Sequence, residues 1–155
     1  MTPAPVASNY QTGHVGLNVS DLGRSVDFYT RVFGLEVKGR NDAEGQAFAF
    51  LGDDVRIVLT LWQQSDGRFA TDQPGLHHLS FQVAAIEEVQ AAEQRVREAG
   101  ARFFHEGIVP HAEGMSSGGI YFEDPDGIRL EIYAPEGADA HQAAPSGPVP
   151  TCGFF

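Results

Sequence analysis

His14-Val-Gly-Leu-Asn-Val19 and His78-Leu-Ser-Phe-Gln-Val83 follow one pattern: histidine, apolar, small, apolar, amide, valine. Their offset is 78 − 14 = 64. Alternation of apolar with small or polar residues over six positions predicts a half-buried strand in each. A helical pattern follows both. In the first copy Ser20-Asp21 supplies N-cap residues, Leu22, Val26, Tyr29, Val32 and Phe33 recur at helical spacing, and Gly34 closes the helix. In the second, Ile86, Val89, Val96 and Ala99 share one side of a helix that Gly100 ends. Strands are then predicted at about 35–40, 46–51 and 55–62, and again at 102–109, 119–123 and 128–133. Pro125-Asp126-Gly127 reads as a turn, because proline presets φ and glycine supplies a positive φ.

The order β-α-β-β-β thus occurs twice, which predicts an α+β fold. One such unit cannot bury both its sheet and its helix, whereas two side by side form a cupped mixed sheet with the helices outside and a cleft inside. The organisation read from the chain is a flexible arm (1–12), a first module (13–62), a polar linker (63–75), a second module (76–134) and a tail (135–155). The tail is rich in Ala, Pro and Gly and reads as mobile, with Phe154 and Phe155 available to dock.

Composition excludes several classes. In 155 residues, 42% are hydrophobic, which supports a real core. Ten Lys and Arg against 21 Asp and Glu leave a formal charge of −11, so neither nucleic acid nor an anionic membrane surface is expected as a partner. The single cysteine, Cys152, rules out a disulfide framework within the chain and a cysteine-rich zinc site. With no run of apolar residues long enough for a span and no signal-like N-terminus, a cytoplasmic location is expected.

The repeat places chemistry. His14 and His78 occupy equivalent positions on the first strands of the two copies. Register favours His78 over its neighbour His77, since a one-residue slip turns the side chain to the other face. Glu131 lies between apolar Leu130 and Ile132 on the last strand, so it points to the opposite face from them. Two imidazoles and one carboxylate make a 2-His-1-carboxylate set, suited to a divalent cation with open coordination positions, such as Fe(II), Mn(II) or Zn(II). The bland alternative is a set of unrelated strand residues. Symmetry of the two histidines argues against it.

With these features the sequence resembles the vicinal oxygen chelate superfamily, the group of glyoxalase I, bleomycin-resistance proteins and extradiol dioxygenases. The resemblance is carried by Gly13-His-Val-Gly-Leu-Asn-Val-Ser-Asp-Leu22, Ser25-Val-Asp-Phe-Tyr29, Phe33-Gly-Leu35, Gly75-Leu-His-His-Leu-Ser-Phe-Gln-Val83 and Tyr121-Phe-Glu-Asp-Pro-Asp-Gly-Ile-Arg-Leu-Glu-Ile-Tyr133. It implies paired modules and metal ligands at His14, His78 and Glu131. Glyoxalase I adds a ligand from the last strand of the first half. Asp54-Val-Arg-Ile-Val58 resembles Gly127-Ile-Arg-Leu-Glu131 at an offset of 73, which puts Val58 there; valine cannot bind a metal, so a three-ligand site is expected.

Among three-ligand members, the resemblance to extradiol dioxygenases implies catalytic roles for Tyr121, ten residues before Glu131, and His111, ten residues before Tyr121. Phe48, Phe50, Phe81 and Phe122 are candidates for the apolar wall of the substrate site. The resemblance thus implies an extradiol-type dioxygenase acting on a small catechol-like substrate and holding Fe(II), with Mn(II), Zn(II) or Ni(II) as alternatives. The chain is expected to form a homodimer. A glyoxalase-like lyase or isomerase, a thiol transferase, and a protein that sequesters an aromatic compound are the other readings.

Overall fold

Residues 8–154 are described by a computed structural model. The first module runs β1 (Val15–Val19), α1 (Leu22–Phe33), β2 (Glu36–Asn41), β3 (Phe48–Gly52) and β4 (Ile57–Gln63). The second runs β5 (Leu79–Gln82), α2 (Ile86–Glu98), β6 (Val109–Pro110), β7 (Gly118–Glu123) and β8 (Arg129–Ala134). Each module makes its own four-stranded sheet, ordered β1-β4-β3-β2 and β5-β8-β7-β6. In both, the first strand lies parallel to the last, and the remaining pairs are antiparallel.

Local chemistry sets the first helix. The Asp21 carboxylate accepts from the Arg24 backbone N–H at 2.9 Å, and Gln63 Oε1 accepts from the Leu22 N–H at 2.7 Å. Two otherwise orphaned N-terminal donors are thereby satisfied. At the other end Gly34, with φ 68°, turns the chain out of the helix while its N–H bonds Thr30. The start of α2 is held by Glu88, whose Oε2 accepts from the backbone of Ala84 and Ala85 at 3.0 Å.

The helices cover one face of each sheet. Leu17, Val19, Leu59 and Leu61 of the first sheet, Ile120, Phe122, Leu130 and Ile132 of the second, and Val26, Phe28, Tyr29, Val32, Val89 and Val96 of the helices form one continuous core. Each such side chain contributes about 1.5–3 kcal/mol by leaving water. Phe33 packs on Phe81 with ring centroids 4.4 Å apart, joining α1 to the second sheet. Polar bonds add to this seam. Tyr29 Oη donates to Asp124 Oδ2 at 2.8 Å, Arg24 pairs with Asp126 at 3.1 Å, and Arg95 Nε donates to the Val32 carbonyl at 2.9 Å.

Two expectations are corrected. The strand predicted over 102–109 shrinks to Val109–Pro110 and a single bridge between Phe103 and Phe122. Gly107, at φ 73°, breaks the extended run, and Pro110 lacks an N–H for the ladder. The tail is not loose. Thr151 donates from its N–H to the His111 carbonyl and from Oγ1 to the Pro110 carbonyl, Ala138 N–H bonds Ser116, and Gly147 accepts from Glu113 N–H. Thr151 and Ala144 are buried, while Phe154 is exposed. Phe155 and the first seven residues of the expected arm lie outside the described residues.

Candidate functional site

The faces turned away from the helices carry the polar chemistry. Along β1, Leu17 and Val19 enter the core, so Gly16 and Asn18 face outward. Strand pairing then fixes which residues of the two modules correspond. Gly16 stands opposite Thr60, and Thr60 opposite Phe50. Ser80 stands opposite Glu131, and Glu131 opposite Tyr121. The offsets are 80 − 16 = 64, 131 − 60 = 71 and 121 − 50 = 71. Thr60, not Val58, is therefore the counterpart of Glu131. Its Oγ1 accepts from Trp62 Nε1 at 3.0 Å. The absence of a carboxylate there stands, on a corrected register.

Around Glu131 the second module gathers a compact cluster. His111 Nε2 lies 2.5 Å from Glu131 Oε1, Tyr121 Oη donates to the same oxygen at 3.2 Å, and His78 Nε2 stands 3.4 Å from Oε2. Glu131 is 2% exposed and Tyr121 is fully buried. Burial by itself would raise the Glu131 pKa. Hydrogen bonds from His111 and His78, the His111 ring charge and the Ser80 hydroxyl outweigh it and hold the carboxyl at about 2. Tyr121 moves the other way: burial first, then the Glu131 charge, push its hydroxyl well above the ordinary range. At neutral pH the pair is therefore a carboxylate and a neutral phenol.

His77 and His78 are coupled through their ring nitrogens, Nδ1 to Nδ1, at 2.8 Å. One of the two must donate. His78 Nε2 in turn faces Oε2, and the 3.4 Å separation is long for a hydrogen bond. It matches two donor atoms each about 2.1 Å from one cation at a tetrahedral angle. The donor chemistry thus fits a divalent metal at His78 and Glu131.

The third expected ligand is elsewhere. His14 is exposed, just ahead of β1, and among the described residues no group of three or more His, Cys, Asp or Glu side chains stands close enough to hold a cation. One chain by itself brings together His78, Glu131, His111 and Tyr121 and leaves His14 apart.

Of the four phenylalanines read as a substrate wall, two are misplaced by that reading. Phe122 is fully buried on the helix side, against Phe28, Phe33 and Phe103, and Phe81 packs on Phe33. Each alternates with an outward residue, Tyr121 and Ser80, so the pleat turns it into the core. Phe48 and Phe50 do face outward. With Trp62 they form an aromatic group on the first module, at centroid distances of 5.0–6.0 Å.

Several cluster residues escaped the sequence reading. Ser80 was legible in principle, two positions beyond His78 on the same face. Ser117, whose Oγ meets His111 Nδ1 at 2.8 Å, sits in a loop with no periodicity to place it. Ala144 and Cys152 of the tail pack over Tyr121. Burial and the Glu131 charge raise the Cys152 thiol.

Paired β-α-β-β-β modules with a carboxylate-imidazole cluster on the outward face define a duplicated α+β scaffold class, and the chain belongs to the Glyoxalase/Bleomycin resistance protein/Dioxygenase superfamily, which its residues 11–132 match. Two relatives mark its range. It is 27% identical over 134 residues to a catechol-2,3-dioxygenase of Bacillus subtilis, covering 83% of this chain and 44% of the relative. The chain therefore spans less than half the length of that enzyme. It is 31% identical over 121 residues to a trivalent organoarsenical cleaving enzyme of a Bacillus species, covering 77% of this chain and 70% of the relative. Among solved structures, a glyoxalase/bleomycin resistance protein/dioxygenase domain from a Frankia species superposes with a TM-score of 0.69 at 28% identity, over 82% of this chain and 98% of that one.

Proposed function

We propose that the chain is a divalent-metal-dependent enzyme of this superfamily, an extradiol-type dioxygenase that acts on a small catechol-like substrate through two vicinal oxygens. The observation that carries the reading is the convergence of His111 and Tyr121 on Glu131, at 2.5 and 3.2 Å. These are the two residues that the resemblance to extradiol enzymes implies as proton carriers. Thr60 in place of a fourth ligand, and the likeness to a catechol dioxygenase, support the same choice.

His78 and Glu131 would hold the cation, with Fe(II) preferred over Mn(II), Zn(II) or Ni(II). When bound, the metal supplies Lewis acidity and a common platform for the substrate and O₂. The chain's own groups set the surroundings. Tyr121, kept protonated, donates a hydrogen bond and can release a proton only to a strong base. His111 sits between Glu131 and Ser117 and is placed to hold a proton beside the carboxylate. The missing third ligand is His14 of a second copy, which makes the functional unit a cytoplasmic homodimer with each site shared between chains.

Sharing is testable without a known substrate. His14→Ala and Glu131→Ala should each lose the metal. Unfolded and refolded together in equal amounts, they form mixed dimers with one intact site, so metal content should recover to about a quarter of wild type. No recovery, with dimers present, rejects the shared site. Oxygen uptake by the Fe(II)-loaded dimer over a catechol panel tests the reaction. Turnover without O₂ by the zinc or nickel form would instead make the protein a lyase or isomerase. Absence of metal, with binding of an aromatic compound, would make it a sequestering protein.

A further inference from the structure

The loop between β6 and β7 brings His111 and Ser117 face to face. Pro110 pairs with Gly118 across the hairpin, His111 N–H bonds the Ser117 carbonyl at 2.9 Å, and Met115 N–H bonds Ala112 inside the loop. The two side chains then meet at the loop's mouth, Ser117 Oγ lying 2.8 Å from Nδ1. The other ring nitrogen faces Glu131 at 2.5 Å, and the Tyr133 ring stands edge-on at 4.9 Å. A carboxylate only accepts, so the nitrogen facing it must carry the hydrogen. In the neutral ring Nδ1 is then bare and open to the one hydroxyl proton of Ser117.

We propose that Ser117 is a positioning residue that holds the His111 ring as its Nε2–H tautomer, aimed at Glu131, by donating its hydroxyl hydrogen to Nδ1. The inference rests on the proposed role of His111, and its structural half stands independently of any reaction. Serine suits the place because a hydroxyl donates to a bare nitrogen and accepts from a protonated one, so the contact survives either state of the ring. Alanine removes both options. Threonine keeps them.

Nitrogen-15 spectra of histidine-labelled, metal-free protein at about pH 8 test the structural half, with His111 assigned by its loss in His111→Gln. Wild type should show Nε2 protonated and Nδ1 as a hydrogen-bonded bare nitrogen. Ser117→Ala should move the Nδ1 signal towards that of a free bare nitrogen, and Ser117→Thr should restore it. An unmoved Nδ1 signal in Ser117→Ala, or a protonated Nδ1 in neutral wild type, overturns the proposal. In the metal-loaded dimer, Ser117→Ala should lower kcat about 10-fold with KM within about twofold, and Ser117→Thr should recover most of the loss. A shifted spectrum with unchanged kcat also overturns the positioning role. If wild type turns over no catechol, the proposed function fails while the spectra still decide what Ser117 does to the ring.

Discussion

The outward faces of the two modules are built on one scaffold and carry opposite chemistry. Gly16, Thr60 and Phe50 in the first correspond to Ser80, Glu131 and Tyr121 in the second. The first face is aromatic, with Phe48, Phe50 and Trp62 in mutual contact. The second is ionisable, and its carboxylate is held well below the usual range by the groups around it. A duplicated backbone thus fixes where side chains point, while the residues loaded onto it decide whether a face binds or reacts. If two copies meet with unlike modules opposed, each site takes apolar contact from one chain and proton chemistry from the other.

The sharpest way to break this division is to exchange its corresponding residues. Glu131→Ala should abolish metal binding and turnover, because imidazoles alone leave the cation's charge uncompensated. Thr60→Ala should leave the metal content of the purified dimer near wild type, measured by elemental analysis. Equal losses in both variants would dissolve the distinction. Next in size, Tyr121→Phe keeps the ring packed and removes the hydroxyl, so metal should stay while kcat falls by roughly 10- to 10⁴-fold. An unchanged rate would assign Tyr121 to packing. Its counterpart Phe50→Ala should instead raise KM about 10-fold with kcat nearly constant, as expected for lost uniform binding to an aromatic substrate. A drop confined to kcat would place chemistry on the first module too.

A smaller effect separates the hairpin turns. Asp53 and Asp124 also correspond, at an offset of 124 − 53 = 71, and each accepts two backbone N–H bonds at 2.8 Å in its turn. Asp53 is exposed, and its bonds to Arg56 and Val55 lower its pKa. Asp124 is buried, and desolvation raises it to about 6 despite the same bonds and Tyr29. A folded-state pKa above the unfolded one means the native state binds more protons, so stability falls as pH rises from about 4 to 6. For Asp124 the decline should be at most about 3 kcal/mol and absent in Asp124→Asn. Asp53→Asn should remove a contribution of opposite sign, one present above about pH 4 and lost on acidification. Thermal unfolding across this range checks both, and parallel profiles for the two variants would refute the assignment. Last, Thr151→Val leaves the Pro110 carbonyl without its partner and should cost about 1–2 kcal/mol in the same assay.

Much of the fold was legible because the decisive signals are local. The His14 and His78 stretches, the Asp21 cap and the glycines at 34 and 100 each act within a few residues, and each mark lies where the elements begin or end. What misled were comparisons across turns. Matching Arg56 to Arg129 by residue type gave an offset of 73, but register is set by pairing across the hairpin, and a shift at Leu51–Gly52 uncouples the two. The site was half legible. Alternation along β8 turned Glu131 outward, and the ten-residue spacings reached Tyr121 and His111. Where His14 ends up depends on how whole sheets sit, which no periodicity encodes. The tail was misread because composition reports what a segment can bury by itself. Here it is held by backbone bonds from Glu113 and Thr151 to partners more than thirty positions apart in the chain.

That tail has a consequence for solvent access. Ala144 and Cys152 pack with Tyr121, and Thr151 ties the strand end that carries His111. The segment after β8 therefore serves as part of the wall around the cluster: a change that loosens it would wet the Tyr121 side chain without disturbing either sheet.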